Sequence, residues 1–105
     1  MYKTLLEPNT LVKPETLDLI KVRQSWTERD EVLCKPLGFS MGFIKEETHL
    51  FSPSVHSFGH PGAGGALGFA DPDHDLAFAY VMNRMGYHVR SPRALALCHA
   101  LYACL

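Results

Sequence analysis

The chain has no run of basic residues, no long apolar stretch and no even set of cysteines, and each lack removes a class of function. Ten Lys and Arg stand against eleven Asp and Glu, a net charge of −1, with the basic residues scattered from Lys3 to Arg93. That leaves no electrostatic footprint for nucleic acid or for an anionic membrane surface. No apolar run approaches the ~18 residues needed to span a bilayer. The first ten residues, MYKTLLEPNT, meet Pro8 without an apolar core, so a signal peptide is not expected. Cys34, Cys98 and Cys104 are odd in number, and the last two fall on one expected helix about 9 Å apart, too far to bridge. A reducing, intracellular setting is the expectation. Internal repeats and low-complexity tracts are absent too.

What is present suits one domain over residues 1–105, with 47% hydrophobic residues to fill a core. Met1–Leu6 reads as the end of a helix too short to stand alone, a hint that a longer domain has been truncated. Pro14 fits the first position of a helix over about 14–23, with Glu15 and Asp18 in its first turns and Leu17 and Ile20 facing a core. Residues 24–36 read as a polar surface loop. From Gly38 to Ile44 apolar and small residues alternate, which predicts a strand with Phe39, Met41 and Phe43 on its greasy face. A connection follows over 45–55, carrying Lys45-Glu46-Glu47.

A strand over about 56–60 is expected to stop at Pro61, which lacks the ladder donor. Ala66–Ala70 is a further strand, and Asp71-Pro72-Asp73-His74-Asp75 a solvated turn. Leu76–Met82 contains no charged residue and predicts a strand buried on both faces. Ser91 and Pro92 open a last helix, with Ala94, Leu97, Cys98, Leu101 and Leu105 at helical spacing.

The segment Ser57–Asn83 concentrates the chemistry. Gly59, Gly62, Gly64, Gly65 and Gly68 fall within ten residues, which marks backbone in unusual conformations or in close approach to another group. Phosphate-binding loops do not fit: no Gly-Lys-Ser/Thr opens a helix here, and the third glycine of G-x-G-x-x-G would fall at Leu67. Metal does not fit either. His56 and His60, four apart on a strand, stand ~13 Å from each other, and the acidic turn lacks the glycine and terminal glutamate of a calcium loop. Cys34 reads as an inert thiol in a charged loop.

His60-Pro61-Gly62, Gly64-Gly65, Asp71-Pro72, the strand ending at Asn83 and the helix from Ser91 occur in the order in which the serine β-lactamase superfamily closes its fold. The chain resembles its class C β-lactamases, penicillin-binding-protein-like enzymes and esterases. Pro14-Glu15-Thr16 and Gly38-Phe39-Ser40-Met41-Gly42-Phe43 resemble upstream pieces of the same region, so the likeness spans nearly all 105 residues. It implies an α+β fold: a small antiparallel sheet with an N-terminal and a C-terminal helix, the C-terminal portion of the β-lactamase/transpeptidase-like fold. It also implies a substrate-binding and oxyanion wall made of His60, Pro61, Gly62 and Ala63, with the Ala63 N–H as one oxyanion donor. No cofactor and no metal are implied.

His60 stands where the family has Lys and Pro61 where it has Thr, departures that argue against β-lactam turnover. The nucleophile motif Ser-x-x-Lys and the base motif Tyr-x-Asn are missing: no serine is followed three residues later by lysine, and Tyr80 has Asn83 at the third position, not the second. The expectation is a β-lactamase-related hydrolase domain fragment, inactive by itself. A small acyl substrate is its partner once the fold is completed, with no nucleic acid and no membrane. A non-catalytic binding or scaffold domain is the alternative. With only two helices to cover Leu76–Met82, an exposed apolar patch and self-association through the sheet are expected as well.

Overall fold

The computed structural model describes residues 1–45 and 50–105. Glu46 and Glu47 of the charged connection lie outside the described residues. Among the described residues ten short elements build an α+β unit: helices α1 (Tyr2–Leu6), α2 (Pro14–Lys21) and α3 (Pro92–Tyr102), with strands β1 (Ser25–Thr27), β2 (Leu37–Phe39), β3 (Phe58–Pro61), β4 (Leu67–Asp71) and β5 (Leu76–Tyr80), and 3-10 turns at Ala63–Gly65 and Pro72–His74. β3, β4 and β5 form an antiparallel meander with Phe58 opposite Ala70, Gly59 opposite Phe69, and Phe69 opposite Phe78. β1 and β2 form a second antiparallel pair. Ile44 bridges Phe39 on one side and Gly59 on the other, so it links the two.

Strand alternation divides the interior between the two faces of the meander. Leu67 and Phe69 of β4 join Phe51, Ala94 and Cys98 under α3, with Leu76, Phe78 and Tyr80 of β5 packed alongside. Ala70 joins Phe58, Leu5 and Ile20 on the other face, under α1 and α2. Gly68 keeps that second face thin: a Cβ there would meet the Tyr2 ring at 2.6 Å. Each core is small. Phe58, Phe69 and Cys98 are nevertheless completely buried.

Asp71 continues the alternation onto the α3 face and is itself completely buried. Its carboxylate accepts hydrogen bonds from Tyr102 Oη (2.6 Å), Ser52 Oγ (2.8 Å), His74 Nδ1 (2.9 Å) and the Asp73 N–H (3.0 Å). Burial alone would raise its pKa, but the hydrogen bonds from Tyr102, Ser52 and His74 outweigh burial and hold the carboxyl below its ordinary range. Beside it, Ser54 Oγ donates to Asp73 Oδ2 (2.5 Å), and His56 Nδ1 lies 2.9 and 3.0 Å from the two Asp73 oxygens. Lys45, also buried, donates to the carbonyls of Val55 and Ser57, both at 2.6 Å. Burial, with Arg23 nearby, lowers its pKa from 10.5 to about 8. The loop over 50–57 is thus pinned at both ends by polar groups taken out of water.

Several expectations need correction. The first long helix stops at Lys21 rather than residue 23, and the expected loop over 24–36 contains β1, which pairs Trp26 with Gly38. The strand expected over 38–44 ends at Phe39. Gly42, at φ +82°, turns the chain back on itself, with the Ser40 N–H bonded to the Phe43 carbonyl. Leu37 and Ile44 therefore fill the core, while Phe39 and Met41, expected on the buried face, are exposed. Pro61 is the last residue of β3 rather than an interruption, and His56 precedes the strand. β5 ends at Tyr80 and is nowhere fully buried, because it lies at the edge of the meander and not in its centre. Asp71 is buried, whereas a solvated turn was expected. Ser91 holds the N-cap position of α3 without a side-chain cap bond.

Two stability predictions follow from the buried charges. Asp71→Asn should cost about 2–3 kcal/mol, since it leaves a buried donor facing donors. That is a fall of roughly 10–20 °C in Tm for a domain of this size. Because the folded Asp71 pKa is depressed, its contribution is present above the unfolded carboxyl range and disappears as pH falls through the folded value. The gap between wild type and Asp71→Asn in chemical denaturation should close as pH falls below about 4; a gap that does not shrink would refute the assignment. For Lys45 the pH dependence runs in the same direction but at higher pH, and what changes is the relief of a penalty on a buried charge. Between about pH 8 and 10.5 the unfolded chain holds a proton that the folded chain has released, so the residue's contribution grows as pH rises. Wild type should gain stability relative to Lys45→Met across that window, and a flat difference would contradict it.

Candidate functional site

The site expected from the sequence lies at the end of the sheet opposite Asp71, four residues back along β4 and so roughly 13 Å away. Here β3 ends, and the chain makes the Ala63–Gly65 turn before entering β4. Gly64 (φ +83°, ψ −10°) and Gly65 (φ +105°) carry the turn in conformations that other residues rarely adopt. The Gly62 N–H to Ala66 carbonyl bond (2.8 Å) and the Gly65 N–H to Gly62 carbonyl bond (3.2 Å) close it from within.

A second segment braces the turn from outside. The Gly86 N–H donates to the Gly64 carbonyl at 2.8 Å, and Met85 and Ser91 side chains occupy the space that a Cβ on Gly64 or Gly65 would need. Arg93 in turn donates to the Arg84 carbonyl at 3.2 Å. The glycines are therefore required by contact as well as by backbone angle.

His60 and Ala63 are exposed, Pro61 is buried and Gly62 is partly buried. No acceptor for the Ala63 N–H is found among the described residues. His60 Nδ1 lies 2.7 Å from the Pro61 carbonyl oxygen. A carbonyl only accepts, so the neutral ring carries its proton on Nδ1 and leaves the Nε2 lone pair outward. The wall thus offers one fixed N–H donor and one imidazole on a stiff turn.

Among the described residues no nucleophile joins them. Ser52 and Ser54 donate to Asp71 and Asp73, and Ser57 to the Ser54 carbonyl. Lys45, the buried amine, contacts carbonyls and no serine hydroxyl. No Ser–Lys or Ser–His pair of the kind that activates a hydroxyl occurs among the described residues. Nor does any group of three His, Cys, Asp or Glu side chains there converge as metal ligands would. Cys34 is exposed, while burial pushes the Cys98 thiol up to about 11.

The polar cluster around Asp71 and Asp73 was missed from sequence. A signal for it exists in the matched Ser52-Pro53-Ser54 and Asp71-Pro72-Asp73: the two serines meet the two aspartates in register, each pair 19 residues apart.

Known proteins place this architecture. No family model matches the chain. Over 56 residues, 53% of its length, it is 39% identical to the esterase/β-lactamase LipL of Mycobacterium tuberculosis, of which it covers 12%. Its structure superposes with a TM-score of 0.87 on a family VIII carboxylesterase, at 32% identity over 99% of the chain. It superposes at 0.88 on a penicillin-binding-protein homologue from Caulobacter crescentus, at 31% identity and again over 99%. The chain has the fold of one portion of the β-lactamase-like serine hydrolases. EstA from Arthrobacter nitroguajacolicus, with a TM-score of 0.80 and 30% identity over 97% of the chain, has the same architecture. The family likeness is a partial one in length: the chain spans 29–30% of these three structures.

The tautomer of His60 is open to direct test. Long-range 1H–15N correlation spectra at alkaline pH, where imidazoles are neutral, should show its Nε2 unprotonated and Nδ1 carrying the proton. The exposed ring should also be modified by diethyl pyrocarbonate. An Nε2–H tautomer would mean that the Pro61 contact does not orient the ring.

Proposed function

We propose that the chain supplies the oxyanion wall of a β-lactamase-like serine hydrolase site, whose nucleophile and base come from residues outside these 105. The observation that carries this reading is Ala63, an exposed residue whose N–H has no acceptor among the described residues, on a turn fixed by two internal hydrogen bonds and by Gly86. A donor held in place before charge develops stabilises an oxyanion at no cost in reorganisation. His60, one strand position before Pro61 and Gly62, adds a polar group at the lip.

The substrate class is a small acyl ester. The Mycobacterium tuberculosis relative is an esterase/β-lactamase and one structural relative is a carboxylesterase. An imidazole, His60, stands where the family has a lysine ammonium, and Pro61 offers no hydroxyl to a β-lactam carboxylate. Without a base-paired serine the chain does not complete acyl transfer by itself. That same absence supports the second reading, a binding or scaffold domain that keeps the wall and not the chemistry.

The 105-residue chain should therefore hydrolyse neither nitrocefin nor short p-nitrophenyl esters above a bovine albumin control. A burst of product equal to the protein concentration, abolished by a serine-directed phosphonate, would overturn the proposal.

A further inference from the structure

The polar groups around the Ala63–Gly65 turn are connected in series. The peptide units there are trans, so in each the carbonyl and the following N–H lie in one plane and point in opposite directions. Whatever the oxygen accepts therefore fixes where the hydrogen points. The Gly86 N–H donates to the Gly64 carbonyl at 2.8 Å, and the same peptide unit carries the Gly65 N–H, which donates to the Gly62 carbonyl at 3.2 Å. The Gly62 carbonyl shares its unit with the Ala63 N–H. Two peptide units thus stand between Gly86 and Ala63, each accepting at one end and donating at the other. A bond accepted by the oxygen strengthens the N–H of the same unit as a donor.

The head of this series carries a charge. Arg93, in the first turn of α3, donates from Nη2 to the Arg84 carbonyl at 3.2 Å. A Cβ placed on Gly86 would lie 3.1 Å from that nitrogen and 3.6 Å from the Gly64 oxygen, and one placed on Gly65 would lie 3.9 Å from the nitrogen. Guanidinium and carbonyl therefore flank the same small space. Among the described residues no carboxylate forms an ion pair with Arg93. A positive charge on the oxygen side of the Gly64–Gly65 unit favours the direction in which both units already point, with their N–H groups turned toward Ala63.

We propose that the Ala63 N–H is the terminal donor of a peptide relay headed by Arg93, and that Arg93 is a positioning residue for the oxyanion wall. The proposal rests on the reading of Ala63 as an oxyanion donor and adds the group that aims and strengthens it. Arg93 acts through Gly86, Gly64 and Gly62, not by contact with the reacting atoms.

NMR of the isotopically labelled 105-residue chain tests this, with circular dichroism to confirm that each variant is folded. In wild type, scalar couplings across hydrogen bonds should link the Gly86 nitrogen to the Gly64 carbonyl carbon and the Gly65 nitrogen to the Gly62 carbonyl carbon. Arg93→Met keeps an apolar stem and removes the charge and the donor. It should move the Gly86, Gly65 and Ala63 amide protons upfield, in steps that shrink along the relay. The Gly62 N–H, bonded to the Ala66 carbonyl outside the relay, should stay in place. Arg93→Lys, which restores the charge, should return most of the shift. In a sodium acetate titration against a sodium chloride control, the wild-type Ala63 proton should move downfield. Arg93→Met should bind acetate about threefold more weakly, the scale of one exposed charge interaction. Missing couplings, an Ala63 proton indifferent to Arg93, or equal shifts at Gly62 and Ala63 would each overturn the relay. An Ala63 proton that follows Arg93 but ignores acetate would support the relay and overturn the oxyanion reading instead.

Discussion

A single buried carboxylate ties most of this small structure together. Asp71 ends β4 with its side chain on the face covered by α3, where a charge without partners would be very costly. Its partners come from three directions: Ser52 from the preceding loop, Asp73 and His74 from the turn just after it, and Tyr102 from the last turn of α3. Neither apolar core is large, and burial of Phe51, Leu67, Phe69, Ala94 and Cys98 sets no register for α3 by itself. Hydrogen bonds do. Tyr102 Oη reaches Asp71 only when the helix lies at one rotation and one height on the sheet. The phenol, whose pKa burial and Asp71 both push up, stays protonated and remains a donor.

Lys45 makes the complementary arrangement with the opposite sign. Its ammonium sits between two carbonyls of the 50–57 loop, whose Ser52 and Ser54 hydroxyls are spent on Asp71 and Asp73. That loop has little apolar content of its own beyond Leu50 and Phe51. Polar groups do the holding where the sequence provides too few apolar ones, and a buried network of this kind specifies one arrangement only while every member is satisfied.

How much of this was legible follows the range of the interactions. Pro14 and Pro92 announce their helices because a proline's constraint is local, and the Asp71-Pro72 turn is visible for the same reason. The ordered glycines gave the candidate wall, since positive φ at Gly64 and Gly65 needs glycine whatever surrounds it. The misreadings concern tertiary context. Phe39, Met41 and Phe43 alternate as a strand would, yet Gly42 breaks the run and hands the buried positions to Leu37 and Ile44. The apolar run from Leu76 has the composition of a central strand, but only the sheet order shows it to be an edge. Asp71 looks like any turn aspartate because Ser52 and Tyr102 lie 19 and 31 residues away.

The two ends of β4 divide the labour. At the Asp71 end the buried carboxylate and the Ser52, Ser54 and Tyr102 hydroxyls are consumed in holding elements together. At the Leu67 end the turn is held by its own backbone and by the 84–86 segment, so the Ala63 N–H and the His60 Nε2 remain uncommitted. A donor can be rigid and unsatisfied only if other bonds hold it in place, and here they run through Gly62, Gly65 and Gly86. The strand between the two ends is five residues long, which keeps the candidate wall mechanically coupled to the buried carboxylate. A change at Asp71 that loosens α3 also loosens Ser91 and Arg93 at the start of that helix, and with them the brace on Gly64 and Gly65. Stability and the geometry of the wall are therefore not separable in this chain.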